Sequence, residues 1–596
     1  MSANAPIWDL SSVYKSFDCA EYKRDCEILT ERIAALEAML GALPDSLAAG
    51  IDDDAAGKAL LNTLDAWEAA GDYAENLSAY ADAVYTSNTQ DHRAGAEINN
   101  IETLRLPFGK ATVIFRGVLA ANKGRVMRLA EHDSRIKPYS FFLSEAIEKA
   151  AFQMESGLED LANDLCRSGG DAWGRLHEAL TSTASAVLED GERRTVTELR
   201  SLANCGYRTL RRSAYNAELE VWKAIEIPMA AALNGVKGCA ITVDTRRGWS
   251  SQLQKSAFQS RIEEKTLHSL ISVIENALPL FHRYLALKAR MLGIEKCAFF
   301  DLFAPVGEID EKQWEWDETT AFIAECFEDF EPEMAAFARR IYASGWVDAE
   351  IRKGKIGGAY CTDFPLVKES RILCNFDGAF NSALTIAHET GHAWHHELIK
   401  DLPRALSHYP MTLAETASLF AETLVFEAAV KDASPSGKLR LIEGSVKDSC
   451  QTIVDILSRF YFEKELFARR AVRELPAAEL CSMMLDAQKK TYGEALDGEK
   501  LHPYMWAVKI HYYNPSLPFY NYPYAFGHLF ALSLYARGRE EKSFARVYRS
   551  LLEATGCCSA EDLALRAGFD ISSEDFWRQG INIIAERVSS IERGLA

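Results

Sequence analysis

Apolar residues along the chain recur mainly at the three- and four-residue spacing of one helix face. Leu29, Ile33, Leu36 and Leu40 show this spacing in the first such segment, which runs from Cys19 to Leu43. The same pattern predicts further helices over residues 59–87, 91–116, 140–165, 172–189 and 195–220. Helix breakers are sparse, with 17 Pro and 35 Gly among 596 residues. The sequence therefore predicts a mainly α protein.

The periodicity changes between residues 351 and 380. The run RKGKIGGAYCTDFP is rich in Gly and the run RILCNF is short and apolar, which predicts two short strands with a Gly-rich connection. Gly357 and Gly358 would let another backbone approach closely. Helices are expected again from Ala379 to Ile399 and from Thr412 onward, whereas the aromatic and Pro-rich residues 501–524 predict a loop.

Charge and cysteine content narrow the class of protein. The chain has 66 Lys and Arg against 86 Asp and Glu, a net charge of −20, which argues against a nucleic-acid partner. It has no run of about 18 apolar residues, so no membrane span is expected. The first residues lack the pattern of a signal peptide. The 13 scattered cysteines then predict reduced thiols and a cytoplasmic location.

The candidate chemistry is concentrated in the motif His388-Glu389-Thr390-Gly391-His392, inside the predicted helix ALTIAHETGHAWHHELI. Residues four apart share a helix face, so the two imidazoles of His388 and His392 can reach one Zn²⁺ at about 2.0–2.1 Å. Glu389 borders the same site and is placed to take a proton from a metal-activated water. This spacing predicts a metallohydrolase. His395 continues the same face and is expected to pack or to support the site.

A third metal ligand must come from another segment, because catalytic zinc usually has three protein ligands. The next helix contains TLAETASLFAETLVFE, in which Glu415 and Glu422 lie seven residues apart on one face. A carboxylate among apolar residues is costly unless a cation or hydrogen bonds compensate for it. Thr412 and Glu415 also fit a capping box, which would explain Glu415 without a metal. Spacing alone leaves both glutamates open as the ligand.

Five segments occur in a characteristic order. They are GKIGGAYC from residue 354, ILCNF, HETGHAWHH, LAETASLFAETL and HYYNPSLPFYNYPYAFG. In this order the chain resembles the M3 family of zinc oligopeptidases, and most of all its oligoendopeptidase F branch. The resemblance is clear over about residues 200–590 and looser before them. Thr390 departs from the family pattern, because a bulkier apolar residue is common at this position. We expect the smaller side chain to affect packing rather than chemistry.

The resemblance implies the roles of individual residues. Zinc, one ion per chain, would be held by His388, His392 and Glu415, with Glu422 supporting the site and Glu389 acting as general base. The family places a histidine and tyrosines on a loop that stabilises the oxyanion, and the matching residues are His511, Tyr520 and Tyr524. Substrate contacts would come from Gly357, Gly358, Tyr360, Tyr513 and Tyr522.

The resemblance also implies a fold and a substrate class. It predicts a helical, clam-like shell around a deep channel, with a small β-sheet beside the HExxH helix. An N-terminal helical domain would cover residues 1–200 and the catalytic domain residues 201–596. The expected activity is cleavage of internal bonds in short unfolded peptides, without an obligatory protein partner.

Two other functions stay open at this point. A zinc exopeptidase, either a carboxypeptidase or an aminopeptidase, would need a group that recognises a peptide terminus, and Arg208, Arg211 and Arg212 are candidates for a terminal carboxylate. A helical peptide-binding protein with a vestigial site is the second alternative. The intact set of His388, Glu389 and His392 argues against it.

Overall fold

The structure is a computed structural model that describes residues 5–307, 312–541 and 543–595. Helices dominate these residues, which confirms the predicted mainly α class. The α-helices are α1 (Ala20–Ser46), α2 (Asp53–Ser87), α3 (His92–Ala121), α4 (Lys123–His132), α5 (Ser140–Ala151), α6 (Ser156–Ser168), α7 (Gly170–Thr183), α8 (Val196–Ser201), α9 (Arg208–Ala224), α10 (Glu226–Arg246), α11 (Gln252–Gln259), α12 (Glu264–Met291), α13 (Trp316–Phe330), α14 (Pro332–Ala343), α15 (Phe380–Ile399), α16 (Arg404–Ser407), α17 (Met411–Asp432), α18 (Pro435–Cys450), α19 (Ile456–Arg470), α20 (Ala477–Tyr492), α21 (Met505–Val508), α22 (Tyr522–Gly538), α23 (Phe544–Glu553), α24 (Ala560–Arg566) and α25 (Glu574–Leu595).

The chain divides into two compact units, each drawn from three stretches of sequence. The first unit comprises Met1–Phe152, Asp310–Ala428 and Arg537–Gly568. The second comprises Gln153–Ile309, Ala429–Ala536 and Phe569–Ala596. The predicted domain boundary at residue 200 stays a prediction.

The first unit contains a three-stranded sheet of β3 (Val347–Asp348), β4 (Tyr360–Phe364) and β5 (Glu369–Leu373). The strand order is β3-β5-β4, with β3 parallel and β4 antiparallel to β5. The predicted pair of strands is therefore present, but residues 365–368 connect the two strands, and the glycines of the Gly-rich run lie before β4. This order leaves β4 at one edge of the sheet, in contact with α15.

A buried lysine fixes the Gly-rich run that leads into β4. The ammonium group of Lys355 donates to the carboxylate of Asp348 at 2.8 Å and to the carbonyl oxygen of Cys374 at 2.6 Å. Its side chain is fully buried, and these partners offset the cost of removing a charge from water. Asn375 also donates to the carbonyl oxygens of Ile356 and Gly358, at 3.1 and 2.9 Å. The segment before the edge strand is therefore held by defined contacts.

The sheet packs on the N-terminal helices of the same unit. Phe364 and Leu373 belong to a buried cluster that includes Leu29 of α1 and Leu77 of α2. Leu29 belongs to the periodic pattern that predicted the first helix, so this helix turns its apolar face to the core as expected. The core of the first unit therefore joins the strands to the N-terminal helices.

The second unit contains a short hairpin that the apolar pattern did not predict. Strand β1 (Ser185–Val187) pairs with β2 (Arg193–Thr195) in antiparallel register. Gly191 has a φ of +83° in the turn, and the preceding Asp190 gives the Asp-Gly pair typical of tight hairpins. This pair is a hairpin signal in the sequence, but the helical pattern of residues 172–189 overlaps the first strand.

No single helix in the described ranges is long and apolar enough to cross a membrane. One pair of consecutive helices, α9 and α10, passes the test of length and composition when the two are taken together. They are bent by 66° relative to each other.

Candidate metal centre

Two helices of the first unit bring the predicted metal ligands together. Helix α15 carries His388 and His392 one turn apart, with ring centroids separated by 5.0 Å. Helix α17 crosses α15 at Gly391, where an added Cβ would lie 2.6 Å from the carbonyl oxygen of Ala417 and 2.7 Å from the Cα of Ser418. Only a residue without a side chain allows this approach. The glycine inside the motif therefore lets Glu415 of α17 reach the two histidines.

The distances between the three ligand atoms suit a tetrahedral metal ion. The Oε2 atom of Glu415 lies 3.2 Å from Nε2 of His388 and 3.5 Å from Nε2 of His392. All three atoms lie within 4.8 Å of one another. Tetrahedral ligands at about 2.0–2.1 Å from an ion are about 3.3 Å apart, which matches these separations. The group can therefore hold a metal ion without rearrangement of either helix.

Glu422 lies behind His388 rather than in the ligand group. Its Oε2 atom is 3.2 Å from Nδ1 of His388. If Nδ1 carries the proton and donates it to this carboxylate, the lone pair of Nε2 points toward Glu415 and is available to a metal. The structure thus separates the two glutamates that spacing alone left open, because Glu415 faces Nε2 and Glu422 faces Nδ1 of the same ring.

Ser418 is a further side chain of the site that was missed in the sequence. It is fully buried on α17, and its hydroxyl donates to Oε2 of Glu415 at 2.8 Å. This is the oxygen atom that lies nearest to both histidines. A serine three residues after a glutamate on a helix was the available signal, since residues at this spacing are neighbours. The hydroxyl therefore restricts the orientation of the Glu415 carboxylate.

The opposite charges of His388 and Glu415 shift the pKa values of these two residues in opposite directions. Burial lowers the pKa of His388, but hydrogen bonds to Glu415 and Glu422 outweigh it and raise that pKa to about 10. Burial raises the pKa of Glu415, yet the hydrogen bonds from His388 and His392 hold it well below its usual range. The carboxylates therefore favour a positive charge at the place where the three ligand atoms converge.

Glu389 occupies the same helix with a different electrostatic balance. Its side chain is 5% exposed, and burial is the largest cause of its raised pKa, which the two histidines partly oppose. A carboxylate with a raised pKa binds a proton more readily than an ordinary glutamate does. This is the property that general-base chemistry requires.

Thr390 contributes packing, as the sequence predicted for this departure from the family pattern. It is fully buried, and its Oγ1 donates to the carbonyl oxygen of Ile386 at 2.7 Å. The hydroxyl groups of Thr390 and Tyr342 are also 2.7 Å apart. Tyr342 lies on α14, so this contact joins that helix to α15 one residue after Glu389.

The next two histidines of α15 have partners away from the ligand group. Nε2 of His395 lies 2.8 Å from Oγ1 of Thr555 and its ring stacks on Tyr409 at 4.3 Å. Nδ1 of His396 lies 2.9 Å from Oγ of Ser370 on β5. His395 therefore packs within the first unit, as expected, and His396 ties the helix to the sheet.

The predicted substrate-binding segment lies at the edge strand of the first unit. Gly357 and Gly358 are exposed, and Gly358 has a φ of +83° that favours glycine. Tyr360, the first residue of β4, is half-buried with its hydroxyl 2.5 Å from Oγ1 of Thr86 on α2. Its side chain is thus engaged in packing, whereas β4 has a neighbouring strand on one side only.

The predicted oxyanion-stabilising residues lie together in the second unit. The ring of His511 stacks on that of Tyr520, with centroids 4.1 Å apart and planes 14° apart. The hydroxyl of Tyr524 donates to that of Tyr520 at 2.8 Å. All three side chains are half-buried. Phe519, just before Tyr520, has a φ of +53°, a strained conformation that tends to occur at functional sites.

Charge and burial keep the imidazole of His511 neutral. Burial, the largest cause, and the nearby cations Arg459 and Lys509 together lower its pKa to about 4. At neutral pH this ring therefore carries one N–H donor and one acceptor nitrogen.

The two other tyrosines of this segment are core residues of the second unit. Tyr513 is 2% exposed, stacks on His177 and donates its hydroxyl to the carbonyl oxygen of Met229 at 3.4 Å. Tyr522 is fully buried and donates to Oγ of Ser260 at 2.9 Å. These contacts account for both side chains by packing. Their substrate contacts stay a prediction.

Known proteins with similar sequences are peptidases. The family described as Peptidase family M3 matches residues 201–583. Oligoendopeptidase F (plasmid) of Lactococcus lactis subsp. cremoris is 23% identical over 98% of this chain and 96% of the relative. Oligopeptidase PepF of Bacillus subtilis (strain 168) is 22% identical over 80% of this chain and 72% of the relative. These matches confirm the resemblance that the ordered motifs indicated.

Solved structures share the fold over nearly the whole chain. A putative peptidase from Chlamydophila abortus has a TM-score of 0.80 at 21% identity, covering 100% of this chain and 99% of that protein. Oligoendopeptidase-F from Enterococcus faecium has a TM-score of 0.70 at 18% identity, covering 96% of this chain and 99% of that protein. The family match covers well over half of the residues and contains the HExxH helix. The chain is therefore a metallopeptidase that belongs to peptidase family M3.

Proposed function

We propose that this metallopeptidase is a zinc-dependent oligoendopeptidase that hydrolyses internal bonds of short unfolded peptides. The observation that carries the proposal is the convergence of Glu415 Oε2 on Nε2 of His388 and of His392, at 3.2 and 3.5 Å. The match to peptidase family M3 and to relatives named oligoendopeptidase F supports the reaction class. Geometry and family thus favour the same chemistry.

The choice of zinc rests on the donor set. Two imidazole nitrogens and one carboxylate oxygen form a three-ligand group of the kind found in catalytic zinc sites. When bound, zinc acts as a Lewis acid that polarises a carbonyl group and lowers the pKa of water. One group of this composition among the described residues corresponds to one ion per chain.

Glu389 is the proton carrier in this proposal. Its carboxylate takes a proton from the attacking water and then delivers it to the nitrogen of the leaving amine. Burial and the raised pKa support both steps, because the group must hold the proton between them. Glu422 and Ser418 orient His388 and Glu415 through the hydrogen bonds described above.

His511, Tyr520 and Tyr524 are proposed to donate hydrogen bonds to the substrate oxygen that gains negative charge. Three features of the second unit support this role: the stacked rings, the bond between the tyrosine hydroxyls, and the half-exposed side chains. Neutral His511 and phenolic hydroxyls are donors that need no change of protonation to act.

The peptide backbone is proposed to pair with the edge strand β4, next to Gly357 and Gly358. Pairing through the backbone tolerates many sequences, which suits an enzyme for varied short peptides. The net charge of −20 supports the absence of a nucleic-acid partner. A cytoplasmic setting without membrane or obligatory protein partners is part of the same proposal, supported by the 13 free cysteines.

An exopeptidase is not favoured by the residues that suggested it. Arg208 donates to Oδ2 of Asp301 at 2.8 Å and Arg211 to Oδ1 at 2.9 Å. Asp301 is fully buried, so both guanidinium groups neutralise a carboxylate of the chain itself. Of the three arginines that suggested recognition of a terminal carboxylate, two are thus engaged within the second unit and only the exposed Arg212 remains.

Cleavage of an internally quenched peptide of about nine residues, blocked at both ends, tests the proposal. We expect internal cleavage that stops with 1,10-phenanthroline and returns when Zn²⁺ is added back. Mass spectrometry of the products locates the bond that is cut. Release of terminal residues only, and only from an unblocked version of the peptide, would replace the endopeptidase by an exopeptidase.

A further inference from the structure

Two cysteines of the second unit lie in contact. Cys166 of α6 and Cys239 of α10 are 73 residues apart in sequence, yet their Sγ atoms are 3.5 Å apart. Both are free and half-buried. A disulfide requires an Sγ–Sγ distance of about 2.05 Å, so closure needs a movement of about 1.5 Å. Rotation of the two side chains is the movement expected to bring the Sγ atoms together.

The surrounding contacts show what a bond between these atoms would hold. Among the described side chains of α6, Glu159 is the buried one, and it pairs with Arg247 at the end of α10. Cys166 and Cys239 meet about two turns along the same two helices. Helix α6 thus contacts α10 through an ion pair near its start and a thiol pair near its end.

The remaining apolar side chains of α6 do not anchor it. Leu158, Leu161 and Leu165 recur on one helix face and are 54%, 54% and 60% exposed. Burial of apolar surface is the main stabilising term for a helix in a globular protein, and these leucines contribute little of it. A covalent bond at Cys166 would therefore add a restraint to α6 beyond its packing on α7.

We propose that Cys166 and Cys239 form a reversible thiol–disulfide site that fastens α6 to α10. A small disulfide such as glutathione disulfide is the oxidant. One protein thiolate attacks it and displaces a glutathione thiolate; the second protein thiol then loses its proton and attacks the mixed disulfide. The Sγ–Sγ bond forms, the oxidant's S–S bond breaks, and two glutathione thiols leave with the two electrons and protons.

The environment of the pair slows these steps at neutral pH. Burial raises the pKa of the Cys166 thiol to about 12, and the Cys239 thiol is the second cause. The thiolate is the attacking species, so Cys166 is a slow nucleophile at neutral pH. The exchange is expected to be faster at pH 9 than at pH 7.

The site also lies beside the segment that connects His511 to Tyr520. An added Cβ on Gly170, the first residue of α7, would lie 3.2 Å from Sγ of Cys239 and 3.1 Å from Pro515. The thiol pair and this segment thus pack against the same glycine.

Oxidation of the full-length protein with mixtures of glutathione and glutathione disulfide, followed by acid quenching and alkylation, tests the proposal. We expect a loss of two of the 13 thiols. Trypsin places Cys166 in peptide 150–167 and Cys239 in peptide 238–246, each with one cysteine, so a linked pair identifies the bond. Mixed glutathione adducts only, or pairs involving other cysteines, would overturn the site.

Matched variants separate this pair from the other thiols. Cys166→Ser and Cys239→Ser should each abolish the linked peptide, whereas Cys205→Ser, elsewhere in the second unit, should form it as the wild type does. Formation of an equal amount of disulfide by Cys166→Ser would contradict the assignment.

Hydrogen exchange tests the claim that the bond fastens α6. In the oxidised wild type, amides of residues 158–167 should exchange about tenfold more slowly than in the reduced protein, because local opening of α6 is restricted. Cys205→Ser should show the same protection after oxidation. Equal exchange in the linked and reduced proteins would overturn the proposed effect on the helix.

Discussion

His388 and His511 show how the protein uses one residue type in two opposite environments. His388 lies between two carboxylates, which raise its pKa to about 10 against the effect of burial. Burial, together with the cations Arg459 and Lys509, lowers the pKa of His511 to about 4. The first environment attracts a cation and the second excludes an extra proton. The difference matches a metal ligand in one region and a neutral hydrogen-bond donor in the other.

The two regions also differ in how their geometry is fixed. In the first unit, regular helices place the ligands, and the close approach at Gly391 sets the distance between α15 and α17. In the second unit, His511 and Tyr520 belong to an irregular segment with a strained residue, Phe519. Helical spacing is readable from sequence, whereas a stack of loop rings depends on tertiary packing.

Glu389→Gln should have the largest effect of the substitutions considered, and this effect is on turnover. The amide cannot accept the proton, so kcat should fall by about 10²–10⁴-fold while the protein retains one zinc ion. Turnover of the quenched peptide and metal content measured on the same sample check this. Glu397→Gln, the same substitution later on α15, is the control and should leave kcat within about twofold. Full activity of the Glu389 variant would remove it as general base.

Metal affinity distinguishes the two glutamates of α17. Glu415→Ala removes a proposed ligand and should weaken zinc binding by more than about 100-fold. Glu422→Ala removes only the partner of Nδ1 of His388 and should weaken it by about 10–100-fold. Competition with a fluorescent zinc chelator measures both constants. The reverse order would exchange the roles of the two residues.

A substitution at Tyr520, the loop residue that stacks on His511, should affect turnover without affecting zinc affinity. Tyr520→Phe keeps the ring that stacks on His511 but removes the hydroxyl, so we expect kcat to fall by about 10–100-fold. Zinc affinity and the melting temperature should stay near wild-type values. Tyr215→Phe, which removes a hydroxyl in the core of the second unit, should leave kcat nearly unchanged. Equal losses in both variants would indicate a general packing effect instead.

The smallest effect concerns the protonation of His511. Its pKa should be measured by NMR near 4, and Lys509→Gln should move it toward the ordinary 6.5 because a neighbouring cation is removed. Since the folded-state pKa is below the unfolded one, stability is lost as pH falls from about 6.5 toward 4. Urea unfolding should give a smaller free energy of unfolding at pH 5 than at pH 7. In His511→Gln this difference between the two pH values should be smaller. A His511 pKa of 6.5 would contradict the claim that His388 and His511 lie in opposite electrostatic environments.

The candidate metal ligands were more accessible to sequence analysis than their supporting contacts. His388 and His392 follow from the spacing of one motif, and the family resemblance selected Glu415. The spacing of Ser418 from Glu415 makes the two residues neighbours on the helix, but it does not show that the hydroxyl bonds the carboxylate oxygen nearest to the histidines. The exact partner of Glu422, Nδ1 of His388, likewise depends on how the two helices cross.

The fold shows the same division between local and tertiary information. The helix predicted over residues 140–165 is two helices, α5 and α6, separated at residues 152–155. Neither Gly nor Pro marks this break. Met154 instead donates its backbone N–H to the carboxylate of Glu159 at 3.2 Å, a contact that stabilises the start of the second helix. Apolar periodicity therefore predicted the helix-rich class but could not place this break.

X-ray absorption at the zinc K-edge, on full-length protein loaded with one equivalent of Zn²⁺, tests the central claim most directly. The account predicts one tightly bound ion with two imidazole nitrogens and oxygen ligands at about 2.0–2.1 Å, and imidazole scattering reduced from two rings to one in His388→Ala. Sulfur ligands at about 2.3 Å, or an unchanged spectrum in the variant, would contradict it.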